Sequence, residues 1–228
     1  MEIKRATLDN TRDETDTVVV IDVLRAFTTA AYAFDLGVYE IILVSGIDEA
    51  FQLRDRLPDA LLIGEVDGIP VEGFDLGNSP THLANADLQD RRLIHRSTAG
   101  TQGVVRSANA SNILATGLCC ARATAQRVMS IEPDSVTLLQ TGVFSGDLGD
   151  EDIACADLLE GLLTGDPPPV GSIIDRVRES KSGQKFVDPS HGVFPASDLD
   201  LAVDVDRFGF AMEVTKRDGM LVLHPVYC

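Results

Sequence analysis

The chain has 228 residues, 44% of them apolar and 24% charged, the balance of a globular protein able to bury a full core. Its net charge of −17 makes nucleic acid a poor partner. No apolar run reaches the roughly 18 residues of a membrane span and no basic-then-apolar leader opens the chain, so a cytoplasmic protein without membrane contact is expected.

Taken in chain order, Thr17 to Val23 reads as a buried strand that reaches its end at Asp22. Arg25 to Leu36 follows as a helix stopped by Gly37. Glu40 to Ser45 is a second strand, Asp48 to Leu57 a helix closed by Pro58, and Ala60 to Val66 a third strand carrying Glu65. The loop E-G-F-D-L-G-N-S-P then spans 72–80, and a short helix starts at Pro80. Arg92 to Ser97 reads as a fourth strand with a polar turn over 97–103. Ile113 to Cys119, Ala121 to Ser130, Val136 to Gln140 and Glu151 to Leu163 continue as strand, helix, strand and helix. G-D-P-P-P at 165–169 is a linker signal. Helices over about 170–181 and 197–207 precede a hairpin, Ala211 to Lys216 and Met220 to Pro225, turned by Asp218-Gly219.

This alternation predicts an α/β three-layer sandwich with a largely parallel sheet, helices on both faces and a C-terminal β-hairpin. It forms a single domain over 1–228, or two lobes with 1–164 as the α/β core and 170–228 packing back on it. The apolar hairpin either covers a sheet edge or pairs with a second subunit in a homo-oligomer. Cys119, Cys120, Cys155 and Cys228 lack metal or disulfide spacing and read as buried small hydrophobes. His82, His95, His191 and His224 share no ligand spacing. Aspartates outnumber glutamates and lysines are few, a composition for which a salt-rich, halophilic cytoplasm is one physical explanation.

Ligands of parallel α/β sheets bind beyond the carboxyl ends of the strands. The polar residues expected on that rim are Asp22, Arg25, Glu65, Asp67, Asp75, Asn78, Ser79, Arg96, Ser97, Thr98, Gly100, Thr101, Glu151 and Asp152. Carboxylates with water are what Mg²⁺ takes as ligands, and Ser, Thr, Gly and Arg suit a phosphate. Helix caps and first-turn acids account for any one of these residues, but less well for several strand ends together. A cysteine-dependent phosphatase is excluded, because no cysteine stands six residues before an arginine. Leu24 occupies the second acid position of a D-x-D nucleophile motif. Neither a Walker loop nor a dinucleotide glycine pattern is present, which leaves metal-assisted phosphoryl hydrolysis against a non-catalytic anion-binding protein.

I-D-V-L-R-A-F-T-T-A at 21–30, G-E-V-D-G-I-P-V-E-G-F-D-L-G-N-S-P at 64–80, L-I-H-R-S-T-A-G-T-Q-G at 93–103, A-N-A-S-N at 108–112 and E-D-I-A-C-A-D-L-L at 151–159 resemble, in order, the motifs of the 2-phosphosulfolactate phosphatase family. The resemblance implies a Mg²⁺-dependent α/β phosphatase that converts 2-phosphosulfolactate to 3-sulfolactate and phosphate, on the route to coenzyme M. Arg96-Ser97-Thr98-Ala99 and Val66-Asp67 depart from the pattern of many members, so another small phosphorylated acid stands beside that substrate. On this reading Asp22, Glu65 and Asp152 form the Mg²⁺ shell directly or through water, with Asp22 also catalytic. Asp75 or Glu151 orients the attacking water. Arg25, Ser97, Thr98 and Thr101 bind phosphate. Arg96 takes the second acidic end, and Asn78 and Ser79 contact substrate or cap the following helix.

Overall fold

A computed structural model describes residues 1–11, 15–142, 149–187 and 192–227. In chain order the elements are β1 (Glu2–Thr7), β2 (Thr17–Ile21), α1 (Ala26–Asp35), β3 (Glu40–Val44), α2 (Ile47–Arg56), β4 (Leu61–Val66), β5 (Ile69–Pro70), α3 (Pro80–Leu83), β6 (Arg92–Arg96) and α4 (Gly100–Arg106). After them come β7 (Asn112–Thr116), a 3₁₀ turn (Leu118–Cys120), α5 (Ala121–Ile131), β8 (Ser135–Gln140), α6 (Asp150–Thr164), α7 (Val170–Glu179), α8 (Lys181–Gln184), α9 (Ala196–Ala202), β9 (Phe210–Arg217) and β10 (Met220–Tyr227). No helix among the described residues is long and apolar enough to cross a membrane.

The strands form one sheet in the order β1-β8-β2-β7-β9-β10-β3-β6-β4-β5. The mixed α/β fold, the mostly parallel sheet and the C-terminal hairpin are as the alternation predicts. The hairpin's place is not. Rather than covering an edge, it lies in the middle, with β9 antiparallel to β7 and β10 antiparallel to β3. The physical reason lies in its two faces. Phe210, Met212 and Val214 enter one hydrophobic cluster while Ala211 enters another, and a strand buried on both sides belongs inside a sheet. Asp218 and Gly219 turn it with φ of 52° and 79°, both positive as a two-residue hairpin turn requires. β1 escapes the sequence pattern because Glu2, Lys4 and Arg5 make it a charged edge strand.

The hairpin joins two parallel halves, β1·β8·β2·β7 and β3·β6·β4, that meet in opposite senses. Sheet twist accumulates at roughly 20–25° per neighbouring strand, and the five steps from β2 to β6 swing the second half round toward the first. α4, which follows β6, consequently packs on β2 as well as on β3. The carboxyl ends of strands from both halves then border one space. β2 is central in this arrangement: Val18 and Val20 feed one core cluster, Val19 and Ile21 the other.

The expected helix at 170–181 is divided at Ser180, whose hydroxyl accepts from the Gly183 N–H to start α8. The helix expected over 197–207 stops at Ala202. The turn over 97–103 runs straight into α4. Cys119, Cys120 and Cys155 are buried free thiols, as expected, while Cys228 and His191 lie outside the described residues.

Candidate active site

A cavity of about 210 Å³ opens where β2, β4, β6 and β8 end. Its strand-end wall includes Arg25, Glu65, Asp67, Thr98, Gly142 and Glu151, and Asn78 reaches it from the loop before α3. The C-terminal third adds Ser182, Lys185, Phe186 and Phe194 to the lining.

Asp22 follows directly on β2 and is only 6% exposed. Its Oδ1 accepts from the Ala26 N–H at 2.9 Å, so it caps the first turn of α1, and the Gly100 N–H also donates to it. Burial, and then the charges of Glu65 and Glu151, push its carboxyl up to about 7. Asp152 ties two strand ends together: Oδ1 accepts from the Val23 N–H at 2.8 Å and Oδ2 from the Gly142 N–H at 2.7 Å. Burial, then Asp22 and Glu151, raise it as well. Four carboxylates therefore share a space short of positive charge.

Glu65 reaches this space because Gly64 lets β4 approach β6. A β-carbon at Gly64, whose φ is 145°, would lie 1.9 Å from the Arg96 carbonyl oxygen, so only glycine fits. Glu65 then clamps the next two turns. Oε2 accepts from the Gly68 N–H and the Thr98 hydroxyl, and Oε1 from the Thr98 N–H. Arg96 does not line the cavity; it donates to the Glu65 carbonyl and to Thr98 Oγ1. Ser97 and Thr101 bond to each other, each accepting the other's N–H at 2.9 Å, and thereby hold the start of α4.

Arg25 lies 4% exposed in a cage. Its Nη1 donates to Asp198 Oδ2, and its guanidinium stands 5.4 Å from the Phe186 ring centre and 5.0 Å from that of Phe194. Asp198, 0% exposed, also accepts from Ser79 Oγ at 2.9 Å and from the Thr81 N–H at 3.0 Å. Ser79 thus anchors and caps α3 without lining the cavity. Asn78 is 3% exposed, lines the cavity, and its Oδ1 has no hydrogen-bond partner among the described residues, an acceptor set for a bound molecule. Asp75, like Ser79, Arg96, Ser97 and Thr101, is an expected site residue outside the cavity lining. Its Oδ2 accepts from Arg54 at 2.7 Å and from the Leu62 N–H at 2.8 Å, because α2 brings Arg54 alongside the loop.

Asp198, Lys185, Phe186 and Phe194 were not found by reading strand ends, since they belong to helices and turns after the linker. The scarcity of lysine was the one available signal for Lys185. His95 is fully buried, its ring nitrogens unpartnered, and burial lowers it to about 4: a neutral core residue. Among the described residues no three His, Cys, Asp or Glu side chains are gathered closely enough to enclose a metal ion.

A family model described as 2-phosphosulpholactate phosphatase matches residues 3–214. A Bacillus subtilis (strain 168) protein named probable 2-phosphosulfolactate phosphatase is 37% identical over 205 residues, 90% of this chain and 89% of the relative. Proteins of the same name from Carboxydothermus hydrogenoformans and Deinococcus radiodurans are 40% and 33% identical, over 68% and 65% of this chain and 63% and 62% of their own lengths.

Proposed function

The chain belongs to the 2-phosphosulfolactate phosphatase family, and from that premise we propose that it hydrolyses the phosphate monoester of a small acid, with 2-phosphosulfolactate giving 3-sulfolactate and phosphate as the leading substrate. One observation carries the reading: Asp22 and Glu65 at two strand ends, and Glu151 and Asp152 in the first turn of α6, act on one another's charge beside a single small cavity that Glu65 and Glu151 line.

The donor chemistry suits Mg²⁺, which is commonly held by one or two carboxylates and keeps several waters; a closed three-carboxylate cage is not needed. Asp22, Glu65 and Asp152 would hold it directly or through water, each already accepting from backbone N–H groups. When bound, the ion supplies the positive charge that this site lacks and polarises the phosphoryl oxygens.

Glu151, on the cavity wall, takes the water-orienting role, since Asp75 is bonded to Arg54. It accepts a proton as the water oxygen bonds to phosphorus. The bond from phosphorus to the ester oxygen breaks, and that oxygen takes a proton from solvent water to leave as the alcohol of the hydroxy acid, Glu151 returning its own proton to solvent. Arg25 presents a fixed positive edge to the phosphate, and Thr98 lines the same pole. Ser97, Thr101 and Arg96 position Thr98 and Gly100 rather than touching substrate. Asn78 Oδ1 accepts from the substrate or its water.

The test is phosphate release from a panel of phosphorylated small acids, 2-phosphosulfolactate included, at high KCl, with and without Mg²⁺ and with Asp22→Asn. Release that needs both Mg²⁺ and Asp22 supports the reading. Full turnover by Asp22→Asn, or no release from any panel member by folded protein, counts against it; the second result favours an anion-binding role.

A further inference from the structure

Resting on the phosphatase reading above, we propose that Lys185 is the specificity-determining residue for a second anionic group on the substrate, a carboxylate or sulfonate, held where Lys185 lines the cavity. Among the described residues two cations line the cavity, Arg25 and Lys185. The charge of Arg25 is already matched by buried Asp198, whereas the Lys185 ammonium has no ion-pair or hydrogen-bond partner among the described residues. A cation without a carboxylate partner on the wall of a strongly acidic protein's cavity is placed to take a negative charge that the ligand brings.

Its position is built, not accidental. The Ser180 hydroxyl caps α8 by accepting the Gly183 N–H at 2.9 Å. Lys185 N–H and Phe186 N–H donate to Ser182 and Gly183 carbonyls at 3.2 and 3.0 Å, and buried Phe186 pins the turn while its ring flanks Arg25. The lysine stem therefore starts from a fixed point, with the Ser182 hydroxyl beside it on the wall. A volume of about 210 Å³ falls below the roughly 300–1,000 Å³ of drug-sized pockets. It admits a compact molecule whose two acidic ends are a few bonds apart, one meeting the carboxylate-and-metal pole and the other Lys185. Arg96, tied to Glu65 and Thr98 outside the cavity wall, is not that second anchor.

The experiment uses full-length Lys185→Met and Lys185→Arg. Steady-state hydrolysis of 2-phosphosulfolactate is compared with that of p-nitrophenyl phosphate, a monoester without a second acid. Sulfoacetate, which contains no phosphorus, is titrated calorimetrically. Lys185→Met is expected to raise KM for the acid ester by about 5–30-fold, with kcat changed far less, and to shift selectivity toward p-nitrophenyl phosphate by the same factor. Lys185→Arg restores most of it. Equal losses on both esters, or no change, overturn the proposal. If the wild type hydrolyses neither ester, the phosphatase reading fails by itself, and sulfoacetate decides the lysine's role: binding by wild type that Lys185→Met weakens at least about 5-fold supports it, and absent or unaltered binding overturns it.

Discussion

A β-carbon added at Gly100 would lie 2.6 Å from Asp22 Oδ2 and 2.9 Å from the Ala26 β-carbon. The first residue of α4 therefore presses on the central carboxylate, and its missing side chain is what lets the two halves of the sheet close on one site. Gly100→Ala is expected to displace Asp22, lowering turnover at least about 10-fold at a stability cost of about 1–3 kcal/mol. Steady-state kinetics beside a urea titration separates the two effects. Wild-type turnover from the variant would mean that the placement of Asp22 is not critical.

Glu65 uses both oxygens as acceptors, for the Gly68 N–H, the Thr98 N–H and the Thr98 hydroxyl. Glutamine offers one acceptor oxygen and turns an NH₂ toward a donor. Glu65→Gln should lose about 1–3 kcal/mol of stability from the buried mismatch, together with most activity as Thr98 shifts. The denaturation midpoint reads the first loss, and an unchanged midpoint would remove Glu65 as the clamp of these turns.

Asp198 and Arg25 form a buried pair. Asp198→Ala strands a buried guanidinium and should cost about 3–5 kcal/mol, whereas adding Arg25→Met removes the stranded charge and should recover part of that loss. A double-mutant cycle in urea measures the coupling. Strict additivity would show that Asp198 acts chiefly through Ser79 and Thr81 instead.

With a net charge of −17, screening of self-repulsion should raise the unfolding temperature as KCl is increased toward molar levels. A maximum at low salt would argue against adaptation to a salt-rich cytoplasm.

The strand-end rim was legible because β2, β4, β6 and β8 are short apolar runs that stop abruptly at polar residues, and a parallel sheet gives those stops a common address. Asp22, Glu65, Thr98, Asn78 and Glu151 were reachable in that way. What the side chains do there was less legible. The spacing that puts Asp75 in the loop does not reveal that Arg54 on α2 will claim it. Arg25 and its partner Asp198 are separated by 173 positions, so no local pattern joins them. The hairpin's central place depends on burial of both its faces, which a period-two reading of its own residues does not resolve. In each case the missing information is a contact between elements rather than a property of one element.

The titration of Asp22 gives the sharpest link between stability and chemistry. In the folded protein its carboxyl is pushed up to about 7, against an ordinary value of 3.8. Between those two pH values the folded state holds a proton that the unfolded chain has released. The stability tied to that proton is present below about pH 4 and is lost progressively as pH rises through about 7. Across that range the loss is on the order of 4 kcal/mol. Metal-free protein should therefore weaken toward neutral pH, and Asp22→Asn should flatten this slope while losing turnover, asparagine Oδ1 still accepting from Ala26. A divalent ion at Asp22 competes with the proton. Mg²⁺ binding near pH 6.5 should release about half a proton or more per ion, seen as a dependence of the calorimetric heat on buffer ionisation enthalpy that vanishes in Asp22→Asn. Binding without proton release would mean that the ion sits elsewhere, and a metal-free protein whose stability does not fall between pH 5 and 8 would mean that Asp22 is solvated well enough to ionise as an ordinary carboxylate.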